Sequence, residues 1–185
     1  MLVDRIGTMK IAIIGYSGAG KSTLAKRLAA ELGVAPLYLD RVHFLPGWGE
    51  RDRAAARALV CQELAKPSWV IDGNYAYLLR EERLKDADEI IWLNYPRLTC
   101  LLRALKRRRA YRGRSRESAA DGCIERMNWE FAWWILYEGR TPERIRGYLD
   151  VLRRYPEKTM IIKNDRMLER YLQARLNKNE SEARG

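Results

Sequence analysis

The sequence predicts an α/β fold in which a parallel sheet of five strands lies between two layers of helices. Short apolar runs alternate with segments of helical periodicity, which is the pattern of successive strand–helix units. The first run, KIAII at 10–14, is apolar throughout, as strands buried on both faces are. The 185 residues, 47% of them hydrophobic and 32% charged, predict one globular domain over 1–185.

The first two strands flank a glycine-rich turn and a helix. After the strand at 10–14, leucines and alanines keep helical spacing over 21–32, and Gly33 ends that helix. The run PLYLD at 36–40 predicts the second strand. One proline and two glycines follow within twelve residues, so an irregular loop is expected before the next helix.

The middle of the chain continues the same alternation. An alanine-rich helix is expected at 52–65, the third strand at 68–72 and a short helix at 77–86. The run EIIWLN at 89–94 predicts the fourth strand, which Pro96 ends. Ligands of parallel sheets bind beyond the carboxyl ends of the strands, so the residues at those ends are the candidates for a site.

The C-terminal part begins with a basic helix. Four leucines between Leu98 and Leu105 form an apolar helical stripe, so the arginines of this helix lie on its other sides. The polar segment 111–122 is expected to be a loop. The remaining expected elements are helices at 123–138 and 142–154, a fifth strand at 159–163, a closing helix at 165–177 and a disordered tail at 178–185.

The net charge of +11 is concentrated in one stretch. From Arg97 to Arg116 there are nine basic residues and no acid, whereas the rest of the chain carries 26 basic and 24 acidic residues. A solvated surface usually mixes the two signs, so this stretch points to a negatively charged partner. Either its arginines close over a bound nucleotide and neutralise a transferred phosphoryl group, or they bind a nucleic-acid backbone.

A phosphate-binding motif occupies 15–22. These residues, GYSGAGKS, match G-x-x-x-x-G-K-[ST] between a strand and a helix, and backbone N–H groups of such a loop surround phosphates. Lys21 is expected to reach the β- and γ-phosphates, Ser22 to bind Mg²⁺ and Thr23 to contact the α-phosphate. The expected nucleotide-binding residues of the loop are Gly15, Ser17, Gly18, Ala19, Gly20, Lys21, Ser22 and Thr23.

Polar residues at the ends of three strands are candidates for metal binding and catalysis. Asp72 ends the third strand and is a candidate to hold Mg²⁺ through water, with a turn cap as the alternative. Asn94, after the fourth strand, is uncharged and is the weaker candidate. Asp40 ends the second strand, where it can orient or deprotonate an acceptor hydroxyl, support Mg²⁺ or serve as a purely structural carboxylate.

The loop after the second strand supplies further candidates. His43 is the only histidine, and it either contacts the acceptor or packs beside Phe44. Trp48 can stack on a ring of the acceptor or cover the loop. The expected substrate-binding residues are Asp40, His43, Trp48 and Asn74, around an acceptor-binding insertion at 41–66.

The motifs exclude several classes of nucleotide-binding protein. A GTPase would carry [NT]-K-x-D after a late strand and D-x-x-G after the third strand, and neither is present. The chain is also short for a helicase or a motor. A small-molecule kinase remains, with a phosphate loop, an acceptor region and an arginine-rich lid at 106–140.

Longer stretches of the sequence resemble one family of such kinases. IAIIGYSGAGKSTLAKRLA, LYLDRVHFLPGW, WVIDGNY and IIWLNYPRLTCLLRALKR look like segments of the bacterial DNA topology modulation proteins, a FlaR-type, adenylate kinase-like family. The resemblance covers residues 9–175 and implies the P-loop NTPase fold with strand order 2-3-1-4-5, with ATP and Mg²⁺ as cofactors. IDGNY also resembles the D-G-F-P-R segment of adenylate kinases, whose arginine binds the acceptor's phosphate. Here Asn74 and Tyr75 replace Phe-Pro and no arginine follows directly, so AMP is not implied as the acceptor.

The preferred hypothesis is an ATP-dependent kinase of a small acceptor, such as a nucleoside, a nucleotide or a similar metabolite. Asn164 and Asp165, after the last strand, are expected near the adenine ring. The expected catalytic residues are Lys21, Asp40, Arg112 and Arg116, with Arg109 and Arg114 as further lid candidates.

The sequence also indicates where the protein works and which alternatives stay open. No apolar run reaches the roughly 20 residues of a membrane span, no secretory signal is visible, and three cysteines lack metal-like spacing, so a cytoplasmic protein is expected. One alternative is a DNA topology modulation protein whose basic stretch binds DNA with an affinity that falls steeply with salt. Another is an ATP-binding protein without turnover. The oligomeric state is not predicted, because Trp129, Trp133 and Trp134 can belong to a core or to an interface.

Overall fold

The sheet of the computed structural model consists of β1 (Lys10–Gly15), β2 (Pro36–Tyr38), β3 (Trp69–Asp72), β4 (Glu89–Leu93) and β5 (Thr159–Ile162). All pairings are parallel, and the order across the sheet is β2-β3-β1-β4-β5. The structure describes residues 8–110, 118, 120, 122 and 129–184, with side chains up to residue 177. The parallel sheet and its strand order confirm the predicted P-loop NTPase fold.

Eight helices accompany the sheet within the described ranges. They are α1 (Lys21–Glu31), α2 (Leu39–His43), α3 (Arg53–Leu64), α4 (Arg80–Asp86), α5 (Arg97–Ala110), α6 (Trp129–Leu136), α7 (Pro142–Arg154) and α8 (Asp165–Arg184). Side chains cap three of them at their amino ends. Asp52 accepts a hydrogen bond from the N–H of Ala55 in α3, Thr141 from that of Arg144 in α7 and Asn164 from that of Met167 in α8. None of the described helices is both long enough and apolar enough to cross a membrane.

Several boundaries differ from those expected, and two of the differences are the most informative. β2 ends at Tyr38, so Asp40 lies in the first turn of α2 and not at the end of the strand. An acid in the first turn interacts favourably with the amino end of a helix, which favours turning at this point over continuing the strand. α8 reaches Arg184 and therefore extends into the tail for which disorder was expected. The expected loop 111–122 and the first residues of the expected helix 123–138 lie largely outside the described ranges.

The three central strands form the buried centre of the molecule and place the site. Residues such as Ile11, Val70 and Ile90 are fully buried, and burying each aliphatic side chain of this size contributes about 1.5–3 kcal/mol. In the sheet Ile13 pairs with Asp72, and Gly15 pairs with Leu93. The phosphate loop and Asp72 therefore lie next to each other at the carboxyl edge of the sheet.

A buried arginine organises the segment that follows β3. Arg83, on α4, is fully buried, and its guanidinium donates hydrogen bonds to the carbonyls of Leu78 (2.7 Å), Tyr75 (2.9 Å) and Gly73 (3.4 Å). Burial lowers the pKa of Arg83 to about 10, which leaves the side chain charged at neutral pH. Because three carbonyls replace the water that the charge has lost, Arg83 fixes the course of residues 73–78.

Replacing Arg83 by methionine is expected to destabilise the protein by about 3–5 kcal/mol, because the buried carbonyls lose their partner. For a chain of this length the loss corresponds to a fall in Tm of roughly 10 °C, measurable by circular dichroism. Arg170→Met, at an exposed position of α8, is the matched control and should leave Tm nearly unchanged. Equal melting temperatures for the two variants would contradict the structural role of Arg83.

Candidate active site

The phosphate loop, residues 15–22, is packed closely against β4 and α5. Gly15 has a φ of +142°, and a Cβ atom there would lie 2.5 Å from the carbonyl oxygen of Leu93. Gly18 has a φ of +78°, and a Cβ atom there would collide with the carbonyl of Cys100. Neither position has room for a side chain, so both glycines are required for this approach.

Ser22 and Asp72 meet at the centre of the site. The Ser22 hydroxyl donates a hydrogen bond to Asp72 Oδ2 at 2.6 Å, although the two residues are 50 positions apart. Asp72 is buried at the carboxyl end of β3, and Ser22 lies in the first turn of α1. The fold thus joins the two residues that the sequence predicts as magnesium ligands.

Lys21 lies over the phosphate loop itself. Its ammonium group donates a hydrogen bond to the carbonyl oxygen of Tyr16 at 3.2 Å, and the side chain lines the cleft described below. An ammonium group forms a stronger hydrogen bond with a charged phosphate oxygen than with a neutral carbonyl oxygen. The ammonium group can therefore exchange this partner for a phosphate.

Asn74 ties the segment after β3 to the phosphate loop. Its Oδ1 accepts a hydrogen bond from the Gly15 N–H at 3.1 Å, and its Nδ2 donates one to the Gly15 carbonyl at 2.7 Å. Both ends of the amide are engaged by one residue, so Asn74 holds the start of the loop in place. It also lines the cleft, and its expected contact with a substrate stays a prediction.

A second buried arginine, Arg140, packs against the phosphate loop. The Arg140 guanidinium lies 3.6 Å from the centre of the Tyr16 ring and donates hydrogen bonds to the Tyr95 carbonyl at 2.7 Å and to Cys100 Sγ at 3.3 Å. Burial raises the pKa of Tyr16 and of the Cys100 thiol, and the nearby Arg140 charge opposes both shifts without cancelling them. The sequence did not single out Arg140, because no motif marks it.

Asp40 faces the cleft from α2. Tyr75 donates its hydroxyl to Asp40 Oδ1 at 3.1 Å, and both side chains line the cleft. Burial, and after it the negative charge of Asp40, raises the pKa of Tyr75 well above its ordinary value. The phenol therefore remains a donor and fixes the orientation of the carboxylate.

His43 belongs to an aromatic cluster beside the cleft. Its Nδ1 lies 2.7 Å from the Tyr77 hydroxyl, and its ring centre is 4.3 Å from that of Phe44 and 4.7 Å from that of Tyr75. His43 is not among the described residues that line the cleft. These contacts favour the packed alternative over a contact with the acceptor.

Trp48 stands at the mouth of the cleft. Its side chain is 46% exposed, lines the cleft and meets the Phe44 ring edge-on at 5.1 Å. Trp48 has a φ of +69° and follows Gly47, which has a φ of +76°. A bulky residue in this region costs on the order of 1 kcal/mol, and such conformations concentrate at functional sites. The backbone thus presents the indole at the cleft at some cost in stability.

An ion-pair network lies on the α8 side of the phosphate loop. Arg103, on α5, donates hydrogen bonds to the Ala19 carbonyl at 2.8 Å and to Asp165, and it stacks 4.1 Å above the Tyr95 ring. The Tyr95 hydroxyl also donates to Asp165 Oδ1 at 2.9 Å. Hydrogen bonds from Arg103 and then Tyr95 lower the pKa of Asp165. Arg103 was missed in the sequence, although its spacing from Lys106 and Arg107 places all three on one face of α5.

If the phosphate loop binds ATP, as its motif predicts, replacing Arg103 by methionine is expected to raise the KM for ATP roughly tenfold, because the loop loses the charged side chain that holds the Ala19 carbonyl. The measurement is a titration of ATP in an assay of ADP formation. Arg108→Met, also on α5 but absent from the described lining of the cleft, is the control. An unchanged KM in Arg103→Met would show that the network does not support nucleotide binding.

Of the other residues predicted to contact the nucleotide, the structure describes only some. Arg109 is exposed in the last turn of α5 and is not among the described residues that line the cleft. Arg112, Arg114 and Arg116 lie outside the described residues. Asn164 accepts a hydrogen bond from the Met167 N–H at 2.9 Å and so caps α8, and a contact with adenine stays a prediction.

One cleft of about 1350 Å³ extends from the phosphate loop to Asp40. It is lined by residues 17–24 of the loop and α1, by Asp72 and the segment after it, and by Asp40. Phe131 and Trp134 of α6, and Leu168 and Leu172 of α8, supply apolar surface. A cleft of this size holds two small molecules, or one nucleotide with a second ligand.

Comparisons with known proteins found similar solved structures but no similar sequence. No family model matches the chain, and no curated protein sequence matches it significantly. The crystal structure of TT1252 from Thermus thermophilus is 18% identical, with a TM-score of 0.52 over 94% of this chain and 98% of that one. A deoxyadenosine kinase from M. mycoides with bound dATP is 16% identical, with a TM-score of 0.48 over 91% and 99%. Shikimate kinase from Bacteroides thetaiotaomicron is 16% identical, with a TM-score of 0.46 over 91% and 98%.

The similarity to TT1252 concerns the fold alone. At such an identity a shared architecture says nothing of the substrate, and the same fold supports many activities. The resemblance to the FlaR-type family therefore stays a prediction.

Proposed function

We propose that the protein is a P-loop kinase, which transfers the γ-phosphoryl group of ATP to a hydroxyl group of a small acceptor. The observation that carries the proposal is the single cleft in which the phosphate loop and the Ser22–Asp72 pair share space with the Asp40 carboxylate. A protein that only binds nucleotide has no need of an oriented acid opposite the phosphates. A kinase does, because its acceptor must be positioned and must lose a proton.

The donor end of the cleft is suited to a nucleoside triphosphate. Backbone N–H groups at the start of α1 and the Lys21 ammonium group can surround the β- and γ-phosphates. Arg103, Lys106 and Arg107 line the same cleft from α5. These cations provide the neutralisation that a transferred phosphoryl group requires, in line with the expected role of the basic stretch.

The residues at the centre fit a magnesium ion. Ser22 Oγ and Asp72 Oδ2, 2.6 Å apart, are oxygen donors, and Mg²⁺ typically takes one or two such protein groups together with waters and substrate phosphates. A magnesium ion held here would supply positive charge that neutralises the phosphates of the nucleotide. Ser22 would hold it directly and Asp72 through water, as expected from the sequence.

Asp40 is the proposed base at the acceptor end. The acceptor oxygen forms a bond to the γ-phosphorus as the bond from that phosphorus to the β–γ bridging oxygen breaks, and ADP leaves. The hydroxyl proton passes to the Asp40 carboxylate, which the hydroxyl of Tyr75 holds in position. Positioning and charge neutralisation account for most of the rate in such reactions.

The location of several basic side chains supports this function over nucleic-acid binding. Arg103 is committed to the phosphate loop, and Lys106 and Arg107 face the cleft, so part of the basic stretch already serves the nucleotide end. Binding to DNA requires cations arranged along an outer surface. The DNA-binding alternative concerns the basic residues of the stretch that are not among the described lining of the cleft, including the exposed Arg108 and Arg109 and the arginines beyond Ala110.

The proposal is tested by acceptor-dependent formation of ADP. The full chain is incubated with ATP and Mg²⁺ and with pools of nucleosides, nucleotides, sugars and polyols, and ADP and phosphorylated products are measured by chromatography and mass spectrometry. A product whose mass exceeds that of an acceptor by one phosphoryl group supports the proposal. ATP binding without any such product across the pools would favour the alternative of a binding protein without turnover.

Replacing Asp72 by asparagine is expected to lower turnover about 100-fold and to raise the Mg²⁺ concentration needed for half-maximal rate, because the site loses its carboxylate. The measurement is a Mg²⁺ titration of initial rates at saturating ATP. Asp86→Asn is the matched control, since Asp86 is an exposed acid that pairs with Lys10 away from the cleft lining. An unaltered Mg²⁺ dependence in Asp72→Asn would remove Asp72 from the metal site.

A further inference from the structure

We propose that the acceptor is an uncharged, ring-bearing alcohol, and specifically a nucleoside in preference to a nucleoside monophosphate. This inference rests on the proposed function and names the substrate class of the same cleft. It is carried by the charges and the aromatic surfaces around Asp40.

The described residues that line the cleft divide by charge. All the cations among them lie on α1 or α5, namely Lys21, Lys26, Arg27, Arg103, Lys106 and Arg107. The described lining residues from β2 to the segment after β3 include the carboxylates Asp40 and Asp72 and no cation. The side that Asp40 occupies therefore has the wrong charge for a phosphate-bearing acceptor.

Three arginines of the acceptor segment are engaged elsewhere. Arg51 donates a hydrogen bond to the Val42 carbonyl at 2.9 Å, and Arg57 donates one to the Tyr77 carbonyl at 3.3 Å. Arg53 lies 5.4 Å from the centre of the Tyr77 ring. None of the three is among the described residues that line the cleft, so they brace the loop instead of offering a phosphate site.

The charge of Asp40 adds a penalty against a second anion. Its carboxylate is fixed by the Tyr75 hydroxyl through one oxygen and lines the cleft. A phosphate monoester carries close to two negative charges at neutral pH and is repelled by the exposed Asp40 carboxylate, a repulsion that solvent weakens without removing. An acceptor without a phosphate group avoids this repulsion and can still offer its hydroxyl to Asp40.

Aromatic side chains next to Asp40 suit a flat ring. Phe44, Trp48 and Tyr75 all line the cleft, and the Phe44 and Trp48 rings meet edge-on at 5.1 Å. The backbone of Trp48 has a φ of +69°, and its half-exposed indole offers a face on which a ring can stack. Nucleobases stack well on such surfaces, and their ribose supplies the hydroxyl groups. The carboxylate, the aromatic surface and the lack of a cation among the described lining residues on this side together favour a nucleoside.

The test compares each nucleoside with its own 5′-monophosphate. Binding to the full chain, with a non-hydrolysable ATP analogue and Mg²⁺ present, is followed by quenching of tryptophan fluorescence. We expect the best nucleoside to bind at least about tenfold more tightly than its monophosphate. In Trp48→Phe the quenching should be largely lost, which assigns the signal to this side of the cleft.

A charge variant tests the reason for the preference. In Asp40→Asn the ratio of monophosphate to nucleoside affinity should rise about tenfold, because one repulsive charge is removed. Asp150→Asn, an exposed acid on α7 paired with Arg153, is the matched control and should leave the ratio unchanged. An equal ratio in the wild type and Asp40→Asn would overturn the electrostatic basis of the proposal.

The outcomes separate this proposal from the proposed function. Tighter binding of monophosphates, or of an amine-bearing alcohol, than of any nucleoside overturns the nucleoside assignment. So does the lack of quenching by every nucleoside up to about 1 mM while the ATP analogue still binds, since that is the upper end of ordinary KM values. In those cases ADP formation with another acceptor would leave the kinase intact. Failure of ATP itself to bind would instead contradict the proposed function.

Discussion

Replacing Lys21 by alanine is expected to lower kcat/KM for phosphoryl transfer by about 10³-fold, the largest effect of any single change in the chain. Lys21 is the cation closest to the start of α1, and in the described structure it already lies over the loop through its hydrogen bond to Tyr16 at 3.2 Å. In the proposed reaction its ammonium group neutralises the charge that develops between the β- and γ-phosphates. No other side chain in the motif carries a positive charge.

The effect should appear in kcat as well as in ATP affinity, because the interaction strengthens as the phosphoryl group leaves. Lys85→Ala is the matched control, since Lys85 is an exposed lysine on α4 that does not line the cleft. Both variants are first compared with the wild type by circular dichroism. If Lys21→Ala folds normally and transfers phosphate at the rate of Lys85→Ala, the phosphate loop is not the donor site.

The fold could be predicted, and the candidate residues for the nucleotide end of the cleft could be selected, because both depend on local sequence. Alternating apolar runs and helical stripes determine strand and helix order, and the loop motif is contiguous, so Lys21 and Ser22 were selected by spacing alone. Asp72 was selected because the carboxyl end of a buried strand is where a parallel sheet places ligands. The 2.6 Å contact between Ser22 and Asp72 brings these two predictions together in one site.

The rest depends on contacts between distant residues that no local pattern encodes. Arg103 and Asp165 lie 62 positions apart, and nothing in either segment announces their ion pair. Arg83 looks like an ordinary helical arginine in the sequence, yet it is fully buried against three carbonyls. His43 stood out because it is the only histidine, but rarity in composition says nothing about whether a ring faces a cleft or its neighbours.

Four consecutive residues link the separate parts of the site, namely Asp72 at the end of β3 and the three residues that follow it. Asp72 accepts from Ser22, Asn74 holds Gly15, and Tyr75 donates to Asp40. Gly73 has a φ of +138°, and a Cβ atom there would lie 2.8 Å from Leu39 Cβ. Only glycine therefore fits at this position. The Asn-Tyr pair that departs from the adenylate kinase segment thus has a structural purpose: one residue positions the phosphate loop and the other positions the proposed base.

Replacing Asp40 by asparagine is expected to lower kcat about 10²- to 10³-fold and to leave the KM for ATP within about twofold of the wild type. Asparagine keeps the size of the side chain and can still accept the Tyr75 hydrogen bond, so the change removes the proton acceptor with little change in packing. Tyr75→Phe should lose about tenfold in kcat, because the carboxylate remains but is no longer held in place. The measurement is a steady-state titration of ATP and of the acceptor, fitted separately.

Glu50→Gln is the matched control, because Glu50 is an exposed acid of the same loop that lies 3.8 Å from His43 and outside the described cleft lining. It removes one negative charge near the acceptor segment without touching the proposed base. A loss in Asp40→Asn that Glu50→Gln does not share assigns the effect to the carboxylate facing the cleft. An unchanged kcat in Asp40→Asn would mean that another group takes the proton, or that the acceptor oxygen loses it only after the phosphoryl group has moved.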